Sequence, residues 1–345
     1  PMSTKGRGLD ELLALGDAIV ARATKGGATV AECIVRSGAE LSAKVRLGEP
    51  ELVEEAGHHA AGLRVMKGKR VASTSTSDLS EAGIARFVSD ALELAELSQE
   101  DPFAGPADQA LLCDPKNAPA LELFDPKGGS IDAAEAIAIA RRGEDAARGF
   151  DARITNSEGA TFGRTAGGAA FVLSSGFRAS YEGSYTSLSV VPVAEDSGGK
   201  KRRGYHWTAK RFFDDLDPAE AVGREAARRT LRKLGARTVA TTEAPVVFDP
   251  DAARSILGLL ASCVLGSSIW RKSSYLIGRE GTRVASDLVT VIDDPLIPRA
   301  PGSRPYDGEG LASHKNVVVE KGILQTFLCD SYSARKLGRQ STGNA

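Results

Sequence analysis

Histidine and cysteine are scarce in this chain: its 345 residues include histidine only at 58, 59, 206 and 314 and cysteine only at 33, 113, 263 and 329. The cysteines show no C-x-x-C spacing, which excludes a disulfide scaffold and a thiolate zinc module and leaves reduced, mostly buried thiols. The histidines offer no pair at helical chelating distance. His58 and His59 are adjacent in an expected strand or turn, so their rings point to opposite faces, and His206 and His314 are isolated in sequence. Long apolar runs are missing as well: Ile256 to Leu265, interrupted by Gly258 and Ser262, falls short of the ~20 residues that cross a bilayer. Neither sign of charge is in excess, with 44 basic and 45 acidic side chains, which excludes a globally basic nucleic-acid binder. Pro1 to Arg7 lacks the apolar segment of a secretion signal. A proline ahead of the methionine reads as an expression scar, and cytoplasm is the expected address.

What is present is an ordinary globular balance, 42% hydrophobic and 26% charged. At roughly 150 residues per domain the length predicts two or three packed units. Leu9 to Lys25 has helical periodicity and stops at Gly26-Gly27. Thr29 to Arg36, Leu41 to Leu47, Glu51 to Glu55, Gly62 to Met66 and Arg70 to Thr76 then read as an antiparallel meander, with a tight turn at Lys67-Gly68-Lys69. Asp78 with Glu81 reads as a capping box for a helix carrying Ile84, Phe87, Val88, Ala91 and Ala95. These elements make an α+β unit over 1–100. Five of the fifteen prolines fall between 101 and 129, the mark of a linker or extended wrap. A second α+β unit spans 130–236: Ser130 is the expected cap of a helix to about Arg148, with strands near 152–156, 169–175 and 184–193. Asp217-Pro218 is expected to open a helix to Leu234. The unit over 237–345 is expected to be strand-rich, with a strand at Ala244 to Phe248, a capped helix from Asp249-Pro250 to about Leu265, and strands near 282–285, 289–292, 316–320 and 323–329. The fold class is α+β throughout, antiparallel sheets packed with long helices.

Chemistry-bearing clusters are few. Asp293, Asp294, Asp307 and Glu309 sit in two acidic turns. Clustered carboxylates suit a hard cation such as magnesium or calcium, but Asp-Pro and Asp-Gly are turn chemistry, and the turn reading is the stronger. Serines 267, 268, 273 and 274 surround Trp270-Arg271-Lys272, with neither a G-x-S-x-G elbow nor a nearby histidine base. Lys200 to Arg203 with Tyr205, Trp207, Lys210 and Arg211 forms the one basic patch interleaved with aromatics, read as a solvated hairpin loop in preference to a nucleic-acid surface.

Six motifs in order resemble those of the TldD/PmbA family, and within it the PmbA (TldE) branch known as modulators of DNA gyrase. They are Ser73 to Ser80, Glu100 to Gly105, Arg271 to Leu276, Asp293-Asp294-Pro295, Asp307 to Gly310, and Ser341 to Ala345. The resemblance implies an intracellular zinc metallopeptidase built from two homologous subunits and acting on peptides and unfolded or small proteins. The catalytic branch carries H-E-x-x-x-H on the helix corresponding to Asp251 to Leu265, where this chain has neither histidine nor glutamate. The resemblance thus implies a non-catalytic, substrate-shaping subunit that holds no cofactor itself, with zinc on a TldD-like partner, or a self-associating chain. Arg271, Lys272, Ser273, Ser274, Asp307 and Glu309 are its expected substrate or partner contacts. Relatives continue past the S-T-G-N element, so the C-terminal domain is expected to be incomplete. Two other readings stay open: a free-standing hydrolase with a carboxylate-bound metal, and a nucleic-acid or gyrase-associated module, the latter disfavoured. No membrane role is expected.

Overall fold

The computed structural model describes residues 7–345; the Pro1-Met2 stretch lies outside the described residues. Its elements in order are α1 (Leu9–Lys25), β1 (Val30–Arg46), β2 (Glu49–Lys67), β3 (Arg70–Thr76), α2 (Glu81–Leu97), α3 (Pro126–Ser130), α4 (Ala133–Arg148), β4 (Ile154–Leu173), β5 (Arg178–Glu195), β6 (Lys201–Arg203), β7 (His206–Lys210), α5 (Ala219–Leu231), α6 (Pro250–Val264), α7 (Gly266–Trp270), β8 (Val291–Asp293), β9 (Asn316–Glu320), β10 (Ile323–Leu324) and α8 (Ser331–Leu337). The expected α+β class holds.

One antiparallel sheet of order β3-β2-β1-β4-β5-β6, with β7 also on β5, unites the strands of the first two units. Three pairs of expected short strands are therefore single long ones, β1, β2 and β4. Around Gly38 the apolar alternation lapses, and the reason is close approach rather than a loop: a Cβ on Gly38 would lie 2.8 Å from the Ala166 carbonyl, and one on Gly167 2.5 Å from that of Ser37. The ladder continues through glycines that bring β1 and β4 together.

Alternate residues of β1 feed two cores on the same face of the sheet. Ala31, Cys33 and Val35 pack under α1 and α2; Leu41, Ala43 and Val45 pack under α4 and α5. Among the described residues the opposite face is covered at one end, where Phe171 and Phe177 meet Tyr306 of the C-terminal unit. That unit has its own small core, with Val264, Leu276, Val319 and Phe327. Its sheet is β10-β9-β8.

Several local expectations need correction. Ser80, not Asp78, caps α2 by accepting from the Gly83 amide, while Asp78 accepts from the Ser80 amide one turn earlier. Asp132 replaces Ser130 as the cap of α4, because Ser130 closes the separate short helix α3. Pro218 itself occupies the cap position of α5. No strand forms at 244–248: Val246 and Val247 are exposed, and with no sheet edge beside them a β-branched run stays irregular. Near 282–285 only a bridge from Arg283 to Ile323 forms. The Asp249 cap and the Gly68 turn are as expected. The cysteines are free, and burial pushes the Cys33 thiol up to about 12. Among the described residues no helix is long and apolar enough to cross a membrane.

Candidate functional site

The acidic turn at 307–310 divides its two carboxylates between different tasks. Asp307 is 3% exposed. It accepts from the amides of Glu309 at 2.9 Å, Leu311 at 3.0 Å and Ala345 at 3.0 Å, so its oxygens hold backbone. Asp294 likewise accepts from the Leu296 amide, and Asp293 from the Asn344 side chain at 2.7 Å. Three of the four acids, Asp293, Asp294 and Asp307, are thus committed to turn amides and to the 344–345 segment. Among the described residues no group of three or more histidine, cysteine, aspartate or glutamate side chains is placed to hold a metal ion.

Glu309 faces instead a cavity of about 420 Å³ between the sheet and the C-terminal unit, lined also by Arg64, Asp101, Asp330 and Tyr332. Neighbouring strands bring Glu32 directly opposite Arg64, with Glu32 Oε2 2.9 Å from Arg64 Nη1, and Glu309 Oε1 lies 4.0 Å from the same nitrogen. The Ser331 amide donates to Glu309 Oε2 at 2.9 Å. Across the cavity Tyr332 donates to Asp101 at 2.6 Å, and Arg335 donates to the carbonyls of Phe103, Gly105 and Pro106. Burial raises the Glu309 carboxyl above the usual glutamate range, partly offset by the Ser331 contact and reinforced by Asp307 and Asp330. Burial also raises Glu32, with Arg64 opposing. The hydrogen bond from Tyr332 lowers Asp101.

A raised carboxyl in the fold favours the folded state while protonated, and that contribution is lost as pH climbs from the ordinary value of about 4.3 through the folded one. Glu309→Gln keeps the acceptor for Ser331 and removes the buried charge. The variant is expected to melt higher than the parent at pH 7 and to lose that advantage below about pH 4.3. Thermal melts across pH check it; a lower melting point at pH 7 would show that attraction to Arg64 outweighs desolvation.

Of the expected contact residues only Glu309 lines this cavity. Arg271 and Lys272 follow α7, both exposed, Arg271 over the Trp270 ring at 5.0 Å and Lys272 at φ +59°. The Ser273 hydroxyl donates to the Ser268 carbonyl, and that of Ser274 to Cys263 at 2.7 Å, so both pin backbone. Sequence reasoning missed Glu32, Arg64, Tyr332 and Arg335. The facing positions of Glu32 and Arg64 follow from the meander register, whereas α8 bears no local signal.

The basic patch is dispersed. Arg202 pairs with Asp196, and Arg203 with Glu158. Arg211, expected in solvent, is 7% exposed, because four backbone carbonyls take its donors. The helix α6 presents Ile256, Leu257 and Leu259 to solvent and carries no histidine or glutamate. Cys263 is its one soft ligand, so this donor set does not fit a zinc ion.

Three family models match in order: PmbA/TldA metallopeptidase domain 1 over 31–95, the central domain over 126–234 and the C-terminal domain over 241–345. The metalloprotease PmbA of Escherichia coli O157:H7 is 39% identical over 315 residues, 91% of this chain and 69% of that protein. A PmbA homologue of Haemophilus influenzae is 38% identical over 325 residues, 94% of this chain and 70% of its own length. A TldD homologue of the same organism is 33% identical over 166 residues, 46% of this chain and 34% of its length. The crystal structure of a Bacteroides thetaiotaomicron protein proposed to modulate DNA gyrase superposes with a TM-score of 0.91 at 26% identity, covering 97% of this chain and 76% of that one.

Proposed function

The chain belongs to the PmbA/TldD metallopeptidase family, and from that premise we propose that it is the non-catalytic, substrate-shaping subunit of a two-subunit peptidase acting on peptides and unfolded or small proteins. The observation that carries this reading is α6, where the metal-binding helix of catalytic relatives would lie and where no histidine or glutamate stands. Hydrolysis at a zinc site needs at least three ligands and a base for the bound water. This chain's residues do not supply them, so the metal belongs to a TldD-type partner. The presence of both a PmbA and a TldD homologue in one bacterium supports such pairing. The role of this chain's residues is contact: Arg271 and Lys272 project from the end of α7 toward a partner or peptide, and Glu309 faces the cavity beside the sheet.

The test mixes the purified chain with a TldD-type homologue bearing H-E-x-x-x-H. The chain alone is expected to hold no stoichiometric zinc and to leave casein intact, while the mixture degrades casein in a chelator-sensitive way. Charge-assisted contacts of ~1.5–3 kcal/mol imply that the Arg271→Ala, Lys272→Ala double variant weakens association about tenfold or more without a lower melting point. One zinc per chain, or chelator-indifferent hydrolysis by the chain alone, overturns the assignment.

A further inference from the structure

Among the described residues little covers the sheet face opposite the helices. Register places five rows of side chains on it, from Leu52-Lys44-Thr161-Ser189 at one end to Ala60-Arg36-Ala169-Tyr181 at the other. Beyond the second of these the C-terminal unit covers the sheet. Two hollows, about 470 and 290 Å³, lie on this face and share Thr165 and Tyr185, so they form one trough along β1 and β4. Its floor is Gly163, Gly167 and Ala169, whose small side chains admit a ligand close to the backbone. Its wall is aromatic and already fixed. Tyr181 packs edge-on against Tyr306 with ring centroids 5.6 Å apart. Tyr185 lies under the Arg211 guanidinium at 4.5 Å and donates its hydroxyl to the Pro301 carbonyl.

The unpaired charges of the trough are segregated, while Arg164 and Arg211, which also line it, are held by Glu55 and by backbone carbonyls. Arg36 stands exposed at the end nearer the C-terminal unit, and Glu40 and Glu54 at the other; among the described residues none of the three has an ion-pair partner. Four residues of extended strand separate Arg36 from Glu40, roughly 13 Å. We propose that this trough binds an extended polypeptide segment carrying an acidic residue toward Arg36 and a basic residue about four positions away, toward Glu40 and Glu54. Unsatisfied charges of opposite sign at the ends select such a segment, the small-residue floor accepts its backbone, and the two tyrosine rings pack on its side chains. The carboxylates disfavour a nucleic-acid strand, whose phosphates would meet them along its whole length. The inference rests on the reading of this chain as a peptide-handling subunit for the class of occupant, while its geometry is independent of the zinc question.

The test uses fluorescence anisotropy with the whole chain and a fluorescein-labelled hexapeptide, Asp-Asp-Ala-Ala-Lys-Lys, blocked at both ends. Saturable binding is expected, and Arg36→Glu, an exposed change that leaves the melting temperature in place, is expected to weaken it about tenfold or more. The same variant should bind an all-lysine hexapeptide more tightly than the parent does. Absence of saturable binding up to millimolar peptide, or equal affinity of parent and variant for both peptides, overturns the proposal. A failed zinc and casein experiment alongside charge-dependent peptide binding would leave the trough standing and remove the subunit assignment; the converse result would do the opposite.

Discussion

Glu144→Ala is expected to destabilise the protein by about 3 kcal/mol, because two charge-assisted hydrogen bonds from turn amides to a wholly buried carboxylate are lost at once. Glu144 projects from α4 and is wholly buried. Its Oε1 accepts from the Leu47 amide at 2.8 Å and its Oε2 from the Gly48 amide at 2.7 Å. These two residues form the turn between β1 and β2, both at positive φ, +54° and +85°. Leucine is unfavourable in that region, so the turn is held by the helix as well as by its own preference. Arg141, one turn earlier in α4, donates to the Gly48 carbonyl at 3.0 Å and completes the clamp. Glu144→Gln keeps one acceptor and sets an NH2 group against the other amide, so roughly half the loss is expected. Urea unfolding of parent, alanine and glutamine variants checks the order. A loss below about 1 kcal/mol for alanine would mean that water replaces the carboxylate.

This clamp also shows where the sequence stops being legible. Local signals were readable where one segment decides its own conformation: the span of α1, the Asp249-Pro250 start of α6 and the Gly68 turn follow from periodicity, capping and positive φ. Caps went astray where two candidates lie two residues apart, as with Asp78 and Ser80, because both side chains bond nearby amides and only the chain path decides which opens the helix. The long strands were hidden because Gly38 looks like a break, and only its neighbour Gly167 on β4 shows it to be a point of close approach. The cavity lined by Glu309, Arg64, Asp101 and Tyr332 draws on four stretches of chain, which no local spacing encodes. By contrast, the composition of α6, without histidine or glutamate, is read from the sequence directly, since it needs no tertiary contact.

Arg211→Met is expected to be costlier still, about 4 kcal/mol, although methionine has similar reach and apolar character. The Arg211 guanidinium donates from Nε to the Ala300 carbonyl at 3.0 Å, from Nη1 to Leu123 at 3.3 Å, and from Nη2 to Pro301 at 3.1 Å and Ser303 at 3.2 Å. One side chain on the rim of the sheet therefore fastens both the extended wrap at 123 and the 300–303 loop of the C-terminal unit. Methionine leaves four carbonyls without that donor and removes the cation from the Tyr185 face. Arg211→Lys restores charge but not the planar fork, so it reaches one or two of the carbonyls and should recover only part of the loss. Because the loop at 300–303 also holds the Tyr185 hydroxyl, the methionine variant should loosen the trough wall. Protease cleavage within 297–303 is expected to appear before the global urea transition moves through its midpoint. Equal stability of methionine, lysine and parent proteins would mean that the loop and the wrap are held to the sheet by other contacts, and that Arg211 merely fills the space between them.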